Sequence, residues 1–474
     1  MTLPAKFVER VLRDLGGTEG AALCAALDAE PPVSVRLNPA KTGADTLPAG
    51  PDAGLPVPEA AGLPALAIAG RVPWSRDGRY LAVRPSFTLD PDFHAGAYYV
   101  QEASSQFVGH LLAAVRTEGA RILDLCAAPG GKTTLYASLA GPDGLVVANE
   151  IDRRRAQVLA DNVRKWGTGN VAVTTCEPRQ LGDFEAWFDM VAVDAPCSGE
   201  GMFRKDAQAR AEWSEGNVKL CAARQDGILR EAWRALKPGG RLIYSTCTFN
   251  RDEDEGALER MAAWAGDEIA ESEETAVEDA WGIVCGRVGA FRTFRFYPHR
   301  TCGEGFFAAV ARKSFDAGGR VRAPKARRTV FAAVDRKTAG ELARWVRNPG
   351  GMRFAAVADT CYAWYAAQAD AVRTLSEALP VIYSGVALGQ VFKGVLKPDP
   401  ALAFFDGLNR GALHAAELDD EETLRFLRRQ DIAAGGLAEG MNLVCSRGRA
   451  LGFAKRIGAR VNNLYPNSLR IIKQ

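Results

Sequence analysis

Two cysteines carry the sharpest chemical signal in this chain of 474 residues. Cys197 closes the segment Asp194-Ala-Pro-Cys, and Cys247 closes Ser245-Thr-Cys; each follows an apolar run that reads as a buried strand. Taken singly, either reads better as a small core residue, because free cysteine is among the most buried side chains. Two of them at neighbouring strand ends, with the Asp194 carboxylate beside the first, point instead to covalent chemistry. A thiolate adds to an electron-poor carbon, and a second group moves the proton that release requires.

A ligand cradle precedes both. Ile122 to Thr134 reads Ile-Leu-Asp-Leu-Cys-Ala-Ala-Pro-Gly-Gly-Lys-Thr-Thr. An apolar strand ends on Asp124, a small-residue turn follows (Cys126, Ala127, Ala128, Pro129, Gly130, Gly131, Lys132), and a helical pattern opens at Thr133. Strand, glycine turn and helix start form the usual seat of a nucleotide-like ligand in an open α/β sheet. A phosphate-binding Walker A loop is excluded, since Cys126 stands where its first glycine belongs, and the Gly-x-Gly-x-x-Gly dinucleotide fingerprint is absent. Ligands of such sheets lie outside the carboxyl ends of the strands. Glu150, at the second strand end, suits a ribose diol; Glu177, at the third, suits an adenine amino group; Asp194 ends the fourth. One acid at a strand end is ordinarily a cap, but three in succession beside a Gly-Gly turn favour a bound adenosine.

Thiols and an adenosine site together suit one reaction, methylation of a pyrimidine at carbon 5. That carbon does not attack a sulfonium methyl unaided. Thiolate addition at carbon 6 turns the ring into an enamine, which does. An acid near ring nitrogen N3 steadies the addition, and a base removes the carbon-5 proton so that the thiol can leave. Asp194 and the second cysteine are the candidates for these two tasks. The residues alone allow either cysteine to be the nucleophile.

The elements that must position these groups alternate regularly. Strands are predicted at 121–126, 145–150, 171–176, 190–194 and 241–246, with helices between them over 153–166, 218–236 and 255–264. This is the pattern of a doubly wound, Rossmann-like parallel sheet, closed by an antiparallel edge strand at Phe306–Ala311. Residues 1–97 read as a small α+β module without chemical signature, with a Pro/Gly/Ala-rich connection over 43–64; 98–313 as the catalytic domain; 314–377 as a basic linker and intermediate region; and 378–474 as a β-rich module.

Composition bounds the class. An apolar fraction of 47% with 24% charged residues is that of ordinary globular protein, and no apolar run approaches membrane-spanning length. The N-terminus lacks a signal-peptide core, so a cytoplasmic location is expected. The ten cysteines include no Cys-x-x-Cys pair and only four histidines accompany them, so no metal site is expected. The net charge of +2 conceals segregation: seven basic residues and no acid over 440–474, seven against one over 312–328, and acids gathered at 252–255 and 267–279. Such blocks suit a polyanionic partner; the bland alternative is a solvated face and a flexible linker.

The motifs Cys126-Ala-Ala-Pro-Gly-Gly-Lys132, Asp194-Ala-Pro-Cys-Ser-Gly199 and Ser245-Thr-Cys-Thr-Phe-Asn250 resemble those of the Sun/NSUN family of RNA cytosine-5 methyltransferases, and Tyr99-Val-Gln-Glu-Ala-Ser-Ser105 resembles the family's lead-in segment. Glu200–Lys205 and Pro298–Phe307 are similar to its bacterial RsmF (YebU) branch, which acts on 16S rRNA. The resemblance implies a Rossmann-like methyltransferase core with a PUA-like RNA-binding C-terminal module, and S-adenosylmethionine held by Cys126 to Lys132, Glu150, Glu177 and Asp194. It implies Cys247 as nucleophile, Cys197 as the aid to release, and Lys132 and Asp194 facing the base. Where this chain has Glu177 the family often has Asp, which puts the adenine contact in doubt. The expected partner is RNA of the small ribosomal subunit, bound by a monomer; tRNA as substrate, or a non-catalytic role in ribosome assembly, are the alternatives.

Overall fold

The computed structural model describes residues 2–43, 63–113 and 115–472; most of the Pro/Gly/Ala-rich connection, and Lys473 of the basic tail, lie outside these. The chain begins with a helical hairpin, Ala5–Leu15 and Gly17–Ala26, whose Phe7, Val11, Leu23 and Leu27 are buried. Four short strands follow, β1 (Val33–Leu37), β2 (Ile68–Arg71), β3 (Gly78–Leu81) and β4 (Tyr98–Tyr99), in the order β2-β3-β1-β4.

The core is a ten-stranded sheet. Its parallel heart is β5 (Arg121–Asp124), β6 (Leu145–Asn149), β7 (Val171–Thr174), β8 (Phe188–Asp194) and β9 (Leu236–Thr246), in spatial order β9-β8-β5-β6-β7. The strands read as unbroken apolar runs because both faces are covered, and β6 and β7 are buried at every residue. After β5 the chain winds to β6 and β7, then returns to β8 on the other side. The order therefore reverses between β5 and β8, and a crevice opens above their carboxyl ends.

Phe306–Lys313 pairs antiparallel with β9, as its apolar run predicts, but it is not the edge. Phe291–Phe296 and Val284–Val288 extend the sheet beyond it, and the short, exposed Val-Cys-Gly-Arg-Val of the outermost strand hides it from a search for apolar runs. At the opposite edge Val381–Ser384 pairs antiparallel with β7. Farther along, His414–Glu417, Gly440–Ser446, Arg449–Ile457 and Arg460–Asn463 form a separate four-stranded sheet. It docks on the N-terminal module through ion pairs: Arg447 reaches Asp92 at 3.0 Å and Arg449 reaches the same carboxylate at 2.8 Å.

The basic stretch 312–328 is held against the core. Lys313 is buried, its ammonium donating to the carbonyl of Trp233 at 2.9 Å, and the Arg328 guanidinium donates to the carbonyl of Leu379 at 2.7 Å. Backbone N–H groups of Arg322 and Arg327 bond to Glu185 and Glu377. Among the described residues no helix is long and apolar enough to cross a membrane, and no cluster of His, Cys, Asp and Glu is suited to a metal ion.

Candidate active site

Strand register brings the chemistry together. In the parallel pair β8–β9, Asp194 lies opposite Ser245, so the turns carrying Cys197 and Cys247 leave the sheet side by side. Their sulfur atoms are 3.4 Å apart. The hydrogen bond to Cys247, reinforced by burial, pushes the Cys197 thiol well above its ordinary value.

Asp194 is fixed on both oxygens. Lys132 donates to Oδ2 and the Ser245 hydroxyl to Oδ1, each at 2.8 Å. Burial opposes the charge on Lys132, but Asp194 more than offsets this and holds the ammonium above its usual range; Cys247 adds in the same sense. Positive charge thus sits beside one thiol of the pair, and the Lys132 ammonium also lies 5.3 Å from the centre of the Phe306 ring.

The turn Cys126–Lys132 leads into the helix Gly131–Ala140, and the Ala128–Pro129 bond is cis. Gly130 has φ 109°, which requires glycine; a Cβ there would also press on the terminal Cδ1 of Leu159 at 2.9 Å, which can move aside. The turn is held from outside. Arg155 donates to the carbonyl of Ala128, Asn162 and Tyr99 donate to that of Pro129, and Arg36 donates to that of Gly131, all at 2.9–3.0 Å. Arg36 belongs to the N-terminal module, which by sequence carried no chemical signature, and Tyr99, in the lead-in segment of the catalytic domain, pairs with it across β1 and β4.

Asp124 is 1% exposed, and burial pushes its carboxyl up to about 7. Thr133 donates to Oδ2 at 2.6 Å, while Oδ1 has no hydrogen-bond partner among the described residues. Glu150 is buried; Oε1 accepts the N–H of Asp152 at 3.0 Å and Oε2 pairs with Arg155 at 3.3 Å. Glu177 stands apart. It is exposed and occupies the N-cap of the short helix Pro178–Gly182, its N–H donating to the Gln180 side chain at 3.3 Å. Burial raises the Cys126 thiol, which packs against the hydrophobic core. A buried carboxyl oxygen left over on Asp124, a glycine turn at a helix N-terminus and the Glu150 carboxylate are a set of polar groups that fits a nucleoside carrying an amino-acid side arm.

Several residues that support the site escape a reading of the sequence. Glu253 has no exposure, and its carboxylate accepts from the Ser198 N–H at 3.0 Å, Asn250 Nδ2 at 2.7 Å and Gln225 Nε2 at 2.9 Å. Gln225 also donates to the carbonyl of Pro196 at 3.0 Å. The residues on either side of Cys197 are therefore tied to the loop that follows Cys247. Glu200, also without exposure, pairs with Arg10 of the first helix and accepts from Trp213 Nε1 at 2.9 Å and the Phe249 N–H at 3.0 Å. Asn250 lies inside a recognised motif, but Glu253 sits in an acid run that reads as a solvated face. A carboxylate with several donors around it is invisible to local periodicity.

Three family descriptions match the chain: 16S rRNA methyltransferase RsmB/F over residues 111–312, the N-terminal domain of 16S rRNA methyltransferase RsmF over 3–103, and the methyltransferase RsmF PUA domain over 414–471. Ribosomal RNA small subunit methyltransferase F of Shewanella loihica is 31% identical over 418 residues, covering 84% of this chain and 83% of that one. The protein of the same name from Aeromonas hydrophila is 32% identical over 421 residues, covering 84% and 85%. Among solved structures, a methyltransferase homologue from Pyrococcus horikoshii superposes with a TM-score of 0.51 at 27% identity, covering 65% of this chain and 94% of that one. NSun6 from Pyrococcus horikoshii, at 20% identity and a TM-score of 0.53 over 65% of this chain and 98% of that one, shares the fold.

Proposed function

The chain belongs to the RsmB/F family of 16S rRNA methyltransferases, with the N-terminal and PUA domains of its RsmF branch, and from that premise we propose that it methylates carbon 5 of a cytosine in 16S rRNA. The observation that carries this reading is the 3.4 Å contact between the thiols of Cys197 and Cys247 beside the Lys132–Asp194 pair. S-adenosylmethionine, held by Cys126 to Lys132 with Glu150 and Asp194, supplies an electrophilic methyl group. Glu177, exposed at a helix cap, is the weakest member of that set.

Cys247 is the nucleophile in this reading. Cys197 keeps its proton and donates it toward Cys247, and the Lys132 ammonium favours negative charge on the same sulfur. The Cys247 thiolate adds to carbon 6, forming a C–S bond while the 5,6 double bond becomes an enamine. The proton shared by Lys132 and Asp194 shifts toward ring N3 as charge builds there. Carbon 5, made nucleophilic by the thiolate addition, would take the methyl group that bound S-adenosylmethionine would supply, the methyl–sulfur bond breaking with its electron pair left on the departing thioether sulfur. Once Cys247 is a neutral thioether, the Cys197 thiol no longer has a thiolate to donate to and gives its proton to solvent. The Cys197 thiolate then removes the proton from carbon 5, the double bond re-forms, the C–S bond breaks and Cys247 leaves as a thiolate beside the restored Cys197 thiol. A paired base cannot reach these thiols, so the target is unpaired or turned out of its helix.

The test is covalent trapping with small-subunit RNA, naked and as assembled particles. Cys197→Ala is expected to accumulate a protein–RNA band on a denaturing gel, because release fails, and Cys247→Ala to form none. A band with Cys247→Ala alone reverses the two roles; no methyl transfer by wild type to either substrate overturns the reading.

A further inference from the structure

A second concavity lies beside the cofactor turn, a cleft of about 380 Å³ between the N-terminal module and the helix Arg153–Trp166. That volume is within the range of ligand pockets. None of Lys132, Glu150, Glu177, Asp194, Cys197 and Cys247 lines it, and among the described residues no carboxylate does. Its walls carry Phe87, Phe93, Tyr99 and Trp166, together with two cations, Arg84 and Lys165.

Both cations face aromatic rings, not acids. The Lys165 ammonium lies 3.8 Å from the centre of the Phe93 ring, and the Arg84 guanidinium 5.4 Å from that of Phe87. Among the described residues neither forms an ion pair. Burial lowers Lys165 to about 8, and Asp161 offsets only part of this. An anion in the cleft therefore meets two cations that, among the described residues, no carboxylate pairs with.

The walls are set before any ligand arrives. The Lys41 ammonium donates to the carbonyls of Ala95 and Lys165, both at 2.7 Å, joining one wall to the other. Gly96 permits this seating, since a Cβ there would lie 2.0 Å from the carbonyl oxygen of Lys165. Pro129 and Tyr99 belong to the cleft and, through their mutual hydrogen bond at 3.0 Å, to the cofactor turn as well.

We propose that this cleft takes one unpaired nucleotide of the RNA strand that carries the target cytosine. The base lies against the aromatic walls and the phosphate on Arg84 and Lys165. Aromatic faces with unclaimed cations, and no acid, suit the base and phosphate of a single strand without selecting its sequence. The proposal rests on the RNA methyltransferase reading above.

The test uses full-length protein and a short, unstructured, fluorescein-labelled oligoribonucleotide, read by anisotropy. Arg84→Glu and Lys165→Gln are each expected to weaken binding about tenfold. Arg84→Lys keeps most of the affinity. Arg84 is exposed, so its variants leave the melting temperature and S-adenosylmethionine binding unchanged. In methyl transfer the same variants raise KM for RNA with kcat retained. Wild-type affinity in both Arg84→Glu and Lys165→Gln overturns the cleft while leaving the activity intact. So does a wild-type protein that methylates small-subunit RNA but does not bind the oligonucleotide. A wild-type protein that neither methylates nor binds RNA brings down the activity reading and the cleft together.

Discussion

The sulfur atoms of Cys197 and Cys247 stand 3.4 Å apart, although fifty positions separate them in the chain. The two thiols are not equivalent, because the contact and burial keep the proton on Cys197. Brief alkylation with iodoacetamide at neutral pH is accordingly expected to label Cys247 first, located by peptide mass spectrometry. Preferential labelling of Cys197 contradicts the assignment of roles.

Glu253 governs the geometry of that contact. Glu253→Gln places an amide N–H among the donors Ser198, Asn250 and Gln225, which leaves buried hydrogen bonds unmade at a cost of about 1–3 kcal/mol. Thermal melting should show that loss. Methyl transfer should fall with it, while S-adenosylmethionine binding, measured by calorimetry, stays near wild type. Unimpaired methyl transfer in this variant means the network does not position Cys197.

Asp124 makes the ligand-free protein sensitive to pH. Its folded value, near 7, lies above the ordinary carboxyl value of 3.8, so the folded state holds a proton that the unfolded chain gives up. The stability that comes with this proton is complete below pH 3.8 and is lost as pH rises toward 7, on the order of 4 kcal/mol. Asp124→Asn removes that dependence. The variant should gain stability over wild type between pH 4 and pH 8 in denaturant titrations; a constant difference across that window refutes the assignment.

Gly130→Ala must place an alanine at φ 109°, with a new Cβ that also pushes the Leu159 Cδ1 methyl aside. A non-glycine residue in such a conformation costs about 1–3 kcal/mol. The turn must shift, so affinity for S-adenosylmethionine should fall more than tenfold at equal RNA affinity. Unchanged cofactor binding places the ligand elsewhere.

The basic tail divides into two groups. Arg447 and Arg449 are bound to Asp92, and Arg456 donates to the carbonyl of Leu437 at 2.6 Å; Lys455, Arg460 and Arg470 are exposed. Arg447→Ala leaves Asp92, 1% exposed, short of one partner and should lower the melting temperature. Replacing Lys455 and Arg460 with Ala should lower RNA affinity and flatten its salt dependence by roughly 1.4 in logarithmic slope, two single-strand phosphate contacts, with melting unchanged. If the salt slope does not move, these residues are not phosphate contacts.

What was legible in the sequence was local. Apolar runs, the small-residue turn and the residues at strand ends follow from periodicity and steric rules, so β5 to β9, the cradle at Cys126–Lys132 and both cysteines could be read from one dimension. The register that sets Asp194 against Ser245 could not, because it depends on how β8 and β9 pair and not on either alone. The acid run at 252–255 is a case of opposite fates: Asp252 is exposed, while Glu253 and Asp254 are fully buried among donors contributed by Ser198, Gln225, Thr246 and Arg295. Arg10 and Arg36 carry no local signal, and Arg447 and Arg449 belong to a block that reads as suited to a polyanionic partner; the fold commits all four to carboxylates and carbonyls far away in the chain. Periodicity reports which face of an element is buried. The partner of a buried charge is chosen by packing between distant segments, and only the tertiary structure decides it.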